Sequence, residues 1–230
     1  MRLCSFHLTV KIWSFMNRTG LMIVDMQNYY LLPESPFSRY FDSLYPGSLD
    51  YIRERANGTV IPNIARLKRE FTKRNLPVIY LRLCGEHPDR LDLHRFFRKA
   101  YEEGLRKGFS DVYPLKTDSM SDVIERLKPS KEDIVITKTT FSPFSSTTIE
   151  QYLFEAGIGR LVMTGLATSQ CVETTGRDAS ERGFDIIQLY DAQADYDEIT
   201  HNASLLSSRG VCGGALYDTE LFIETLDELI

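Results

Sequence analysis

The feature that most constrains the fold is a series of short, mostly apolar segments that alternate with amphipathic helical patterns. The apolar segments cover residues 21–24, 78–83, 134–137, 161–164, 186–189 and 211–216. Segments that are mostly apolar without strict alternation suit strands covered on both faces, as in a parallel sheet. Helical faces follow at residues 60–71, 149–156 and 221–229. This alternation predicts a three-layer α/β fold with a mostly parallel, six-stranded sheet.

Length and composition are typical of one globular domain. At 230 residues the chain can bury one sizeable core, and no linker rich in proline, glycine or serine divides it. We predict an N-terminal extension at residues 1–19 and a single domain at residues 20–230. Met16, followed by Asn-Arg-Thr-Gly, is a candidate for the natural start of the protein.

Charge and cysteine content argue against several classes of protein. The formal net charge is −5, and no basic stripe is interleaved with aromatic residues, which argues against a nucleic-acid partner. The four cysteines lack C-x-x-C spacing, so they fit a reducing compartment better than a disulfide scaffold or a zinc ribbon. Apolar residues near the N-terminus are too interrupted for a signal peptide or a membrane span. We therefore expect a cytoplasmic protein without a membrane partner.

Three chemically complementary side chains follow three of the predicted strands. Asp25 and Lys138 come directly after their strands, and Cys171 lies in a turn where a helix begins. The carboxyl ends of parallel strands share one edge of a sheet, so these side chains can converge. A helix N-terminus and an ammonium group favour thiolate, and a carboxylate can accept the thiol proton. The set predicts acyl transfer from a cysteine without histidine, with turn amides stabilising the oxyanion.

Each of these residues also has an ordinary structural explanation. A cysteine behind a strand often belongs to the core, an aspartate after a strand often caps a turn, and a lysine there is often solvated. The three residues together favour a catalytic role over a structural one. Their spacing in the sequence does not by itself establish that the three side chains meet.

Three ordered blocks resemble the isochorismatase-like cysteine hydrolase superfamily, which includes nicotinamidases, N-carbamoylsarcosine amidase and ureidoacrylate amidohydrolases. The blocks are Leu-Met-Ile-Val-Asp-Met-Gln-Asn-Tyr at 21–29, Lys-Thr-Thr-Phe-Ser-Pro-Phe-Ser-Ser-Thr at 138–147, and Gly-Leu-Ala-Thr-Ser-Gln-Cys-Val at 165–172. Thr175, Arg177-Asp-Ala, Arg182-Gly and Asp191-Ala extend the match. Three blocks in order are more specific than any single motif.

The resemblance implies a role for each residue that matches the motifs. Cys171 is the expected nucleophile, Asp25 the general base and then acid, and Lys138 the cation between them. A cis peptide is expected between Leu166 and Ala167, with the amides of Ala167 and Cys171 forming the oxyanion hole. The expected substrate-binding residues are Gln27, Tyr30, Phe141, Phe144 and Leu166. The resemblance also implies a homo-oligomer, either a dimer or a tetramer. We predict no cofactor.

The sequence departs from the nicotinamidase pattern in the region after the second strand. Nicotinamidases hold a metal there with an Asp-x-His motif and a later histidine, whereas this chain reads Arg-Leu-Cys-Gly-Glu-His-Pro-Asp-Arg-Leu-Asp-Leu-His at 82–94. His87 and His94, with Glu86 or Asp92, can in principle ligate zinc, but we predict no metal site. Residues 86–113 are instead predicted to cover the substrate. The candidates for binding a substrate carboxylate are Arg82, Arg90 and Arg95.

These observations predict a hydrolase of a small amide, N-carbamoyl or ureido compound that acts through a thioester. Isochorismatases proper cleave a vinyl ether and need no thiol, so the presence of Cys171 favours C–N cleavage. The alternatives are a metal-assisted nicotinamidase and a family member that binds ligands without catalysis.

Overall fold

A computed structural model describes residues 16–229, and a six-stranded, all-parallel sheet forms its centre. The strands are β1 (Arg18–Val24), β2 (Val78–Leu83), β3 (Ile134–Lys138), β4 (Ile158–Leu166), β5 (Asp185–Ala194) and β6 (Ala215–Tyr217). Their order across the sheet is β3-β2-β1-β4-β5-β6. The direction of winding therefore reverses between β1 and β4, and ligands of open α/β sheets bind at such a switch point.

Nine α-helices connect the strands of the described part of the chain. They are α1 (Asn28–Leu31), α2 (Pro36–Leu44), α3 (Asp50–Arg55), α4 (Ile61–Lys73), α5 (Arg95–Arg106), α6 (Ile149–Glu155), α7 (Glu173–Glu181), α8 (Glu198–Ser208) and α9 (Thr219–Leu229). Two π-helical turns, Ala56–Val60 and Thr168–Val172, precede α4 and α7, and short 3₁₀ turns lie at Ser119–Ser121, Glu125–Leu127 and Pro143–Ser145. Between residues 16 and 229, no helix combines the length and the hydropathy that a membrane crossing requires.

Two hydrophobic clusters cover the two faces of the sheet. One contains Ile64 and Leu67 of α4 together with Phe222 of α9. The other contains Leu153 of α6 and Ala179 of α7. Helices therefore shield both faces, which explains why the strands are rich in apolar residues on both faces. The predicted three-layer α/β fold is confirmed.

The structure corrects two predicted boundaries. The sixth strand is Ala215–Tyr217, later than the predicted 211–216. Gly213 and Gly214 have φ values of +73° and +77°, which belong to a turn and not to a strand. At the other end, β1 begins at Arg18, before the predicted domain start at residue 20, and Met16 is buried among residues of the second cluster. Residues 1–15 of the predicted extension lie outside the described residues.

Candidate active site

Asp25 lies at the carboxyl end of β1, next to the switch point of the sheet. The residue is 3% exposed, and its φ of +51° is left-handed. A residue other than glycine seldom adopts this conformation, and such strain clusters at functional sites. β4 approaches closely here, because a Cβ on Gly165 would overlap the carbonyl oxygen of Val24. Only glycine fits at that position beside Asp25.

Lys138 is the last residue of β3, and its side chain is completely buried. Its ammonium nitrogen lies 2.8 Å from Oδ2 of Asp25 and 3.3 Å from Sγ of Cys171. The ammonium also donates to the carbonyl of Thr140 at 3.1 Å. Burial lowers the pKa of Lys138, but the interactions with Asp25 and Cys171 raise it by more, so the net pKa is raised. The side chain is therefore a cation that bridges the other two candidates.

Cys171 lies in the π-helical turn Thr168–Val172, between β4 and α7. It is 5% exposed, and its carbonyl accepts a hydrogen bond from the hydroxyl of Thr175 at 2.6 Å. Burial, followed by the negative charge of Asp25, raises the pKa of the thiol, and this outweighs the lowering by Lys138. Cys171 therefore carries its proton at rest.

Asp25 has one oxygen that is free to take that proton. Oδ2 is bonded to Lys138, whereas Oδ1 is buried and has no hydrogen-bond partner among the described residues. A buried acceptor without a partner is unusual and calls for an explanation. A general base needs such an oxygen beside the nucleophile, and the charge of Asp25 acts directly on the Cys171 thiol.

The turn before Cys171 contains the predicted cis peptide, between Leu166 and Ala167. The carbonyl of Ala167 accepts two hydrogen bonds, from the amide of Gln170 at 3.1 Å and from that of Val172 at 3.2 Å. These bonds hold the turn closed around the amide of Cys171. The amides of Ala167 and Cys171 belong to this turn, and their role as an oxyanion hole stays a prediction.

Two of the predicted substrate-binding side chains serve the fold instead. Both polar atoms of the Gln27 side-chain amide are hydrogen-bonded within the protein. The nitrogen donates to the carbonyls of Leu83 and Ser121, and the oxygen accepts from the Leu83 amide. Arg82 pairs with Asp122 at 2.9 Å and lines a surface cavity of about 440 Å³ whose lining includes no member of the candidate triad. Gln27 therefore has no free donor, and Arg82 retains its Nε, which is buried and has no hydrogen-bond partner among the described residues.

The other predicted substrate-binding residues lie in different places. Phe144 packs against Phe184 under the guanidinium of Arg182, and Leu166 is fully buried in the core. Phe141 packs against Phe97 of α5 with ring centroids 4.6 Å apart. Tyr30 donates a hydrogen bond to the hydroxyl of Tyr196 at 2.7 Å.

Arg90 holds together the segment of residues 86–113. Arg90 is 1% exposed, pairs with Asp111 at 2.7 Å and donates to the carbonyl of Tyr113 at 3.0 Å. It is therefore unavailable to a substrate carboxylate. His94 accepts a hydrogen bond from the amide of Phe96 and caps α5. Residues 16–229 contain no group of three or more histidine, cysteine or acidic side chains arranged to hold a metal ion.

Several residues beside the candidate site were not predicted. Asp195, directly after β5, is fully buried and accepts hydrogen bonds from the amides of Ser169 at 2.6 Å and Tyr196 at 2.8 Å. Its position at a strand end is the signal that could have identified it. Asp191, which matched the family motif, lies within β5 and binds Asn63 and Thr219.

His201 of α8 supports the turn that carries Cys171. Its Nε2 lies 3.1 Å from Nη2 of Arg55, and its Nδ1 lies 2.8 Å from the hydroxyl of Thr168. An arginine only donates, so Nε2 accepts and Nδ1 carries the hydrogen. Burial and the charge of Arg55 lower the pKa of His201 to about 4. The imidazole is therefore neutral at physiological pH.

A hydrogen bond joins the loop that follows Lys138 to α7, the helix that follows Cys171. Ser142 donates to Oδ2 of Asp178 at 2.6 Å, and Asp178 is paired with Arg182, the residue that directly follows α7. The Thr140 hydroxyl donates to the carbonyl of Ser142 at 2.6 Å. The Arg177-Asp-Ala motif therefore ties the lysine loop to α7.

A family model described as the isochorismatase domain matches residues 19–220. The chain belongs to the isochorismatase family. This isochorismatase-family hydrolase is 34% identical over 222 residues to the ureidoacrylate amidohydrolase RutB of Variovorax paradoxus, covering 92% of this chain and 80% of that protein. It is 31% identical over 188 residues to the uncharacterized isochorismatase family protein YrdC of Bacillus subtilis, covering 77% and 84% of the two chains.

The crystal structure of a cysteine hydrolase from Pseudomonas syringae pv. phaseolicola has the same fold. It superimposes with a TM-score of 0.73 at 24% identity, covering 93% of this chain and 94% of that one. The resemblance inferred from the three sequence blocks is confirmed.

Proposed function

We propose that this hydrolase cleaves a small amide, N-carbamoyl or ureido compound through a thioester on Cys171. One observation carries the proposal: the ammonium of Lys138 bonds both to Asp25 and to the Cys171 sulfur in a site shielded from solvent. A thiol, a carboxylate and a fixed cation are the groups that acyl transfer without histidine requires. The identity to a ureidoacrylate amidohydrolase supports C–N cleavage.

In the first half of the reaction, the thiol proton passes to Oδ1 of Asp25 while the sulfur attacks the substrate carbonyl carbon. Lys138 stabilises the charge that moves between the sulfur and the carboxylate. The amides of Ala167 and Cys171 donate to the oxyanion of the tetrahedral intermediate. Asp25 then gives the proton to the leaving nitrogen, the C–N bond breaks, and the thioester remains.

In the second half, a water molecule replaces the departed amine. Asp25 takes a proton from this water as its oxygen attacks the thioester carbonyl. The C–S bond breaks, the sulfur regains a proton from Asp25, and the acid product leaves. Asp25 therefore acts as the base towards the thiol in the first half and towards water in the second.

Cys171→Ala and Cys212→Ala test the proposal as a matched pair. Both thiols are buried, but the ammonium of Lys138 donates to the sulfur of Cys171 and not to that of Cys212. With a panel of amides, N-carbamoyl amines and ureides, Cys171→Ala is expected to lose about 10³-fold or more in kcat, whereas Cys212→Ala stays active. Mass spectrometry of quenched wild type should detect an acyl adduct on the peptide that contains Cys171. Undiminished activity of Cys171→Ala would contradict the thioester mechanism, and the absence of turnover with no adduct would favour a non-catalytic binding protein.

A further inference from the structure

The carboxylate of Asp195 is buried without a cation beside it. The residue is fully buried, and it takes part in none of the ion pairs formed by residues 16–229. Its oxygens instead accept from two backbone amides, Oδ2 from Ser169 at 2.6 Å and Oδ1 from Tyr196 at 2.8 Å. Burying an unpaired carboxylate is costly, so these two bonds must offset the cost. Because Ser169 lies two residues before Cys171, Asp195 ties Tyr196 to the turn of the nucleophile.

The hydroxyl of Tyr196 continues this connection to the segment that carries Asp25. It accepts a hydrogen bond from the hydroxyl of Tyr30 at 2.7 Å. Tyr30 belongs to α1, and its ring stacks on that of Phe37 with centroids 5.1 Å apart. Only two residues separate Asp25 from α1, and the amide of Gln27, the second of them, donates to the carbonyl of Asp25 at 2.9 Å. The position of the Tyr30 hydroxyl is therefore closely coupled to that of Asp25.

With Lys138, these contacts close a ring around the candidate site. On one side, the ammonium of Lys138 lies 2.8 Å from Asp25 and 3.3 Å from the sulfur of Cys171. On the other side, the two tyrosine hydroxyls and the carboxylate of Asp195 connect α1 to the turn of Cys171. We call this second connection the tyrosine bridge. The general base and the nucleophile are thus tied together twice, once through their side chains and once through their backbone segments.

We propose that the tyrosine bridge, formed by Tyr30, Tyr196 and Asp195, positions the general base Asp25 to take the thiol proton of Cys171. The inference rests on the proposed function. It makes Tyr30 a positioning residue, whereas the sequence predicted a substrate contact. A misplacement of about 1 Å can cost on the order of 10²-fold in rate, so loss of one hydroxyl should slow the chemical step more than it weakens substrate binding.

Tyr30→Phe and Tyr196→Phe test the bridge, because each removes one hydroxyl and keeps the ring. Removing the buried carboxylate of Asp195 would also destabilise the fold. With the best substrate of the amide, N-carbamoyl and ureide panel, each variant should lower kcat about tenfold and change KM less than about twofold. The double variant should lose less than about twofold beyond either single variant, because both substitutions break the same hydrogen bond.

Tyr80→Phe is the matched control for these variants. The hydroxyl of Tyr80, a buried residue in the middle of β2, donates to the carbonyl of Leu127 at 2.8 Å. The substitution therefore removes a buried hydrogen bond of a tyrosine that does not belong to the bridge. It should keep kcat within about twofold of wild type.

Iodoacetamide labelling of Cys171 tests the bridge without any substrate. Breaking the bridge moves the negative charge of Asp25 away from the thiol, so Tyr30→Phe should speed labelling at pH 8 about threefold or more. In an Asp25→Asn background that charge is already absent, and Tyr30→Phe should then change the rate less than about 1.5-fold. Tyr80→Phe should label like wild type.

The two measurements separate this inference from the proposed function. Labelling that depends on Tyr30 only when Asp25 is present, together with no turnover in wild type, would contradict the proposed function and leave the bridge standing. Wild-type kcat in both tyrosine variants, a loss confined to KM, or losses that multiply in the double variant would overturn the bridge. An equal loss of kcat in Tyr80→Phe would overturn it too, as would faster labelling of Tyr30→Phe regardless of Asp25, which would report easier access of the reagent.

Discussion

The ammonium of Lys138 lies 3.3 Å from the sulfur of Cys171, yet the pKa of this thiol is raised. A nearby cation lowers the pKa of a thiol, so other effects must outweigh it. Burial is the largest of them, and the carboxylate of Asp25 is the second. The lysine charge is already neutralised by Asp25 at 2.8 Å. The resting site is therefore a thiol beside an ion pair, and the sulfur becomes nucleophilic only as Asp25 removes its proton.

The two charged partners should have opposite effects on thiol reactivity. Asp25→Asn removes the negative charge, so the pKa of Cys171 should fall and iodoacetamide should label it faster at pH 8. Lys138→Met removes the cation, so the pKa should rise further and labelling should slow. Peptide mass spectrometry over a pH series measures both rates, with Cys84 and Cys212 as internal controls. Slower labelling of Asp25→Asn would show that the carboxylate activates the resting thiol.

Asp178 should position the catalytic groups through Ser142. Asp178→Ala or Ser142→Ala breaks the 2.6 Å hydrogen bond between the lysine loop and α7. We expect kcat to fall about tenfold with KM changed less than about twofold, because a small displacement of Lys138 weakens charge stabilisation without altering substrate contacts. Asp178→Asn, which keeps an acceptor, should restore part of the rate.

Glu150→Gln is the matched control for this link, because Glu150 contacts the far side of Arg182 at 3.2 Å. It should retain kcat within about twofold. A loss as large as that of Asp178→Ala would mean that general loosening of α7, not the Ser142 link, limits the rate.

His201 should make the fold less stable in mild acid. Its pKa in the folded protein is about 4, below the ordinary 6.5, so between these values the unfolded chain binds a proton that the folded chain does not. The stabilisation is present above pH 6.5 and is lost as the pH falls towards 4. From pH 7 to pH 5 the free energy of unfolding should fall by about 2 kcal/mol through this group.

Urea denaturation at pH 7 and pH 5 measures this difference, with His201→Gln as the variant that cannot titrate. His87→Gln, at an exposed position, is the control and should keep the wild-type pH dependence. If His201→Gln loses as much stability as wild type between the two pH values, another group is responsible.

Gly165 should tolerate no side chain. Its φ is +107°, and a Cβ would lie 2.7 Å from the amide nitrogen of Val24 and overlap the carbonyl of that residue. Gly165→Ala should lower the free energy of unfolding by roughly 3 kcal/mol or more and displace Asp25 from its position beside Cys171.

Gly58→Ala is the comparison, because a Cβ there meets nothing within 4 Å. It should be neutral or stabilising by up to about 1 kcal/mol, since it lies in a helical turn. Equal thermal unfolding temperatures for the two variants would contradict the close approach of β1 and β4.

Much of the fold follows from local pattern. The segment at 78–83 is β2 without any change in bounds, and the other predicted strands except the last differ only by extension. Apolar runs report strand positions because both faces of the sheet are covered. The predicted position of the last strand was wrong because the apolar residues at 211 and 212 precede two glycines with left-handed backbone, which form a turn.

The substrate-binding residues could not be predicted in the same way. Gln27 and Arg82 follow or end strands like true site residues, but their partners, Leu83 and Asp122, come from distant segments. Residue type and position along one strand do not reveal whether a polar group is already bonded.

The sequence by itself determined the α/β class and the three side chains at the strand ends, because apolar periodicity and residue chemistry are local properties. Only the tertiary structure decided that Asp25, Lys138 and Cys171 meet, since the order β3-β2-β1-β4 brings together segments more than 100 residues apart. It also decided the protonation of the thiol. Desolvation and the charges of neighbours depend on everything packed around a group, and no local pattern encodes that sum.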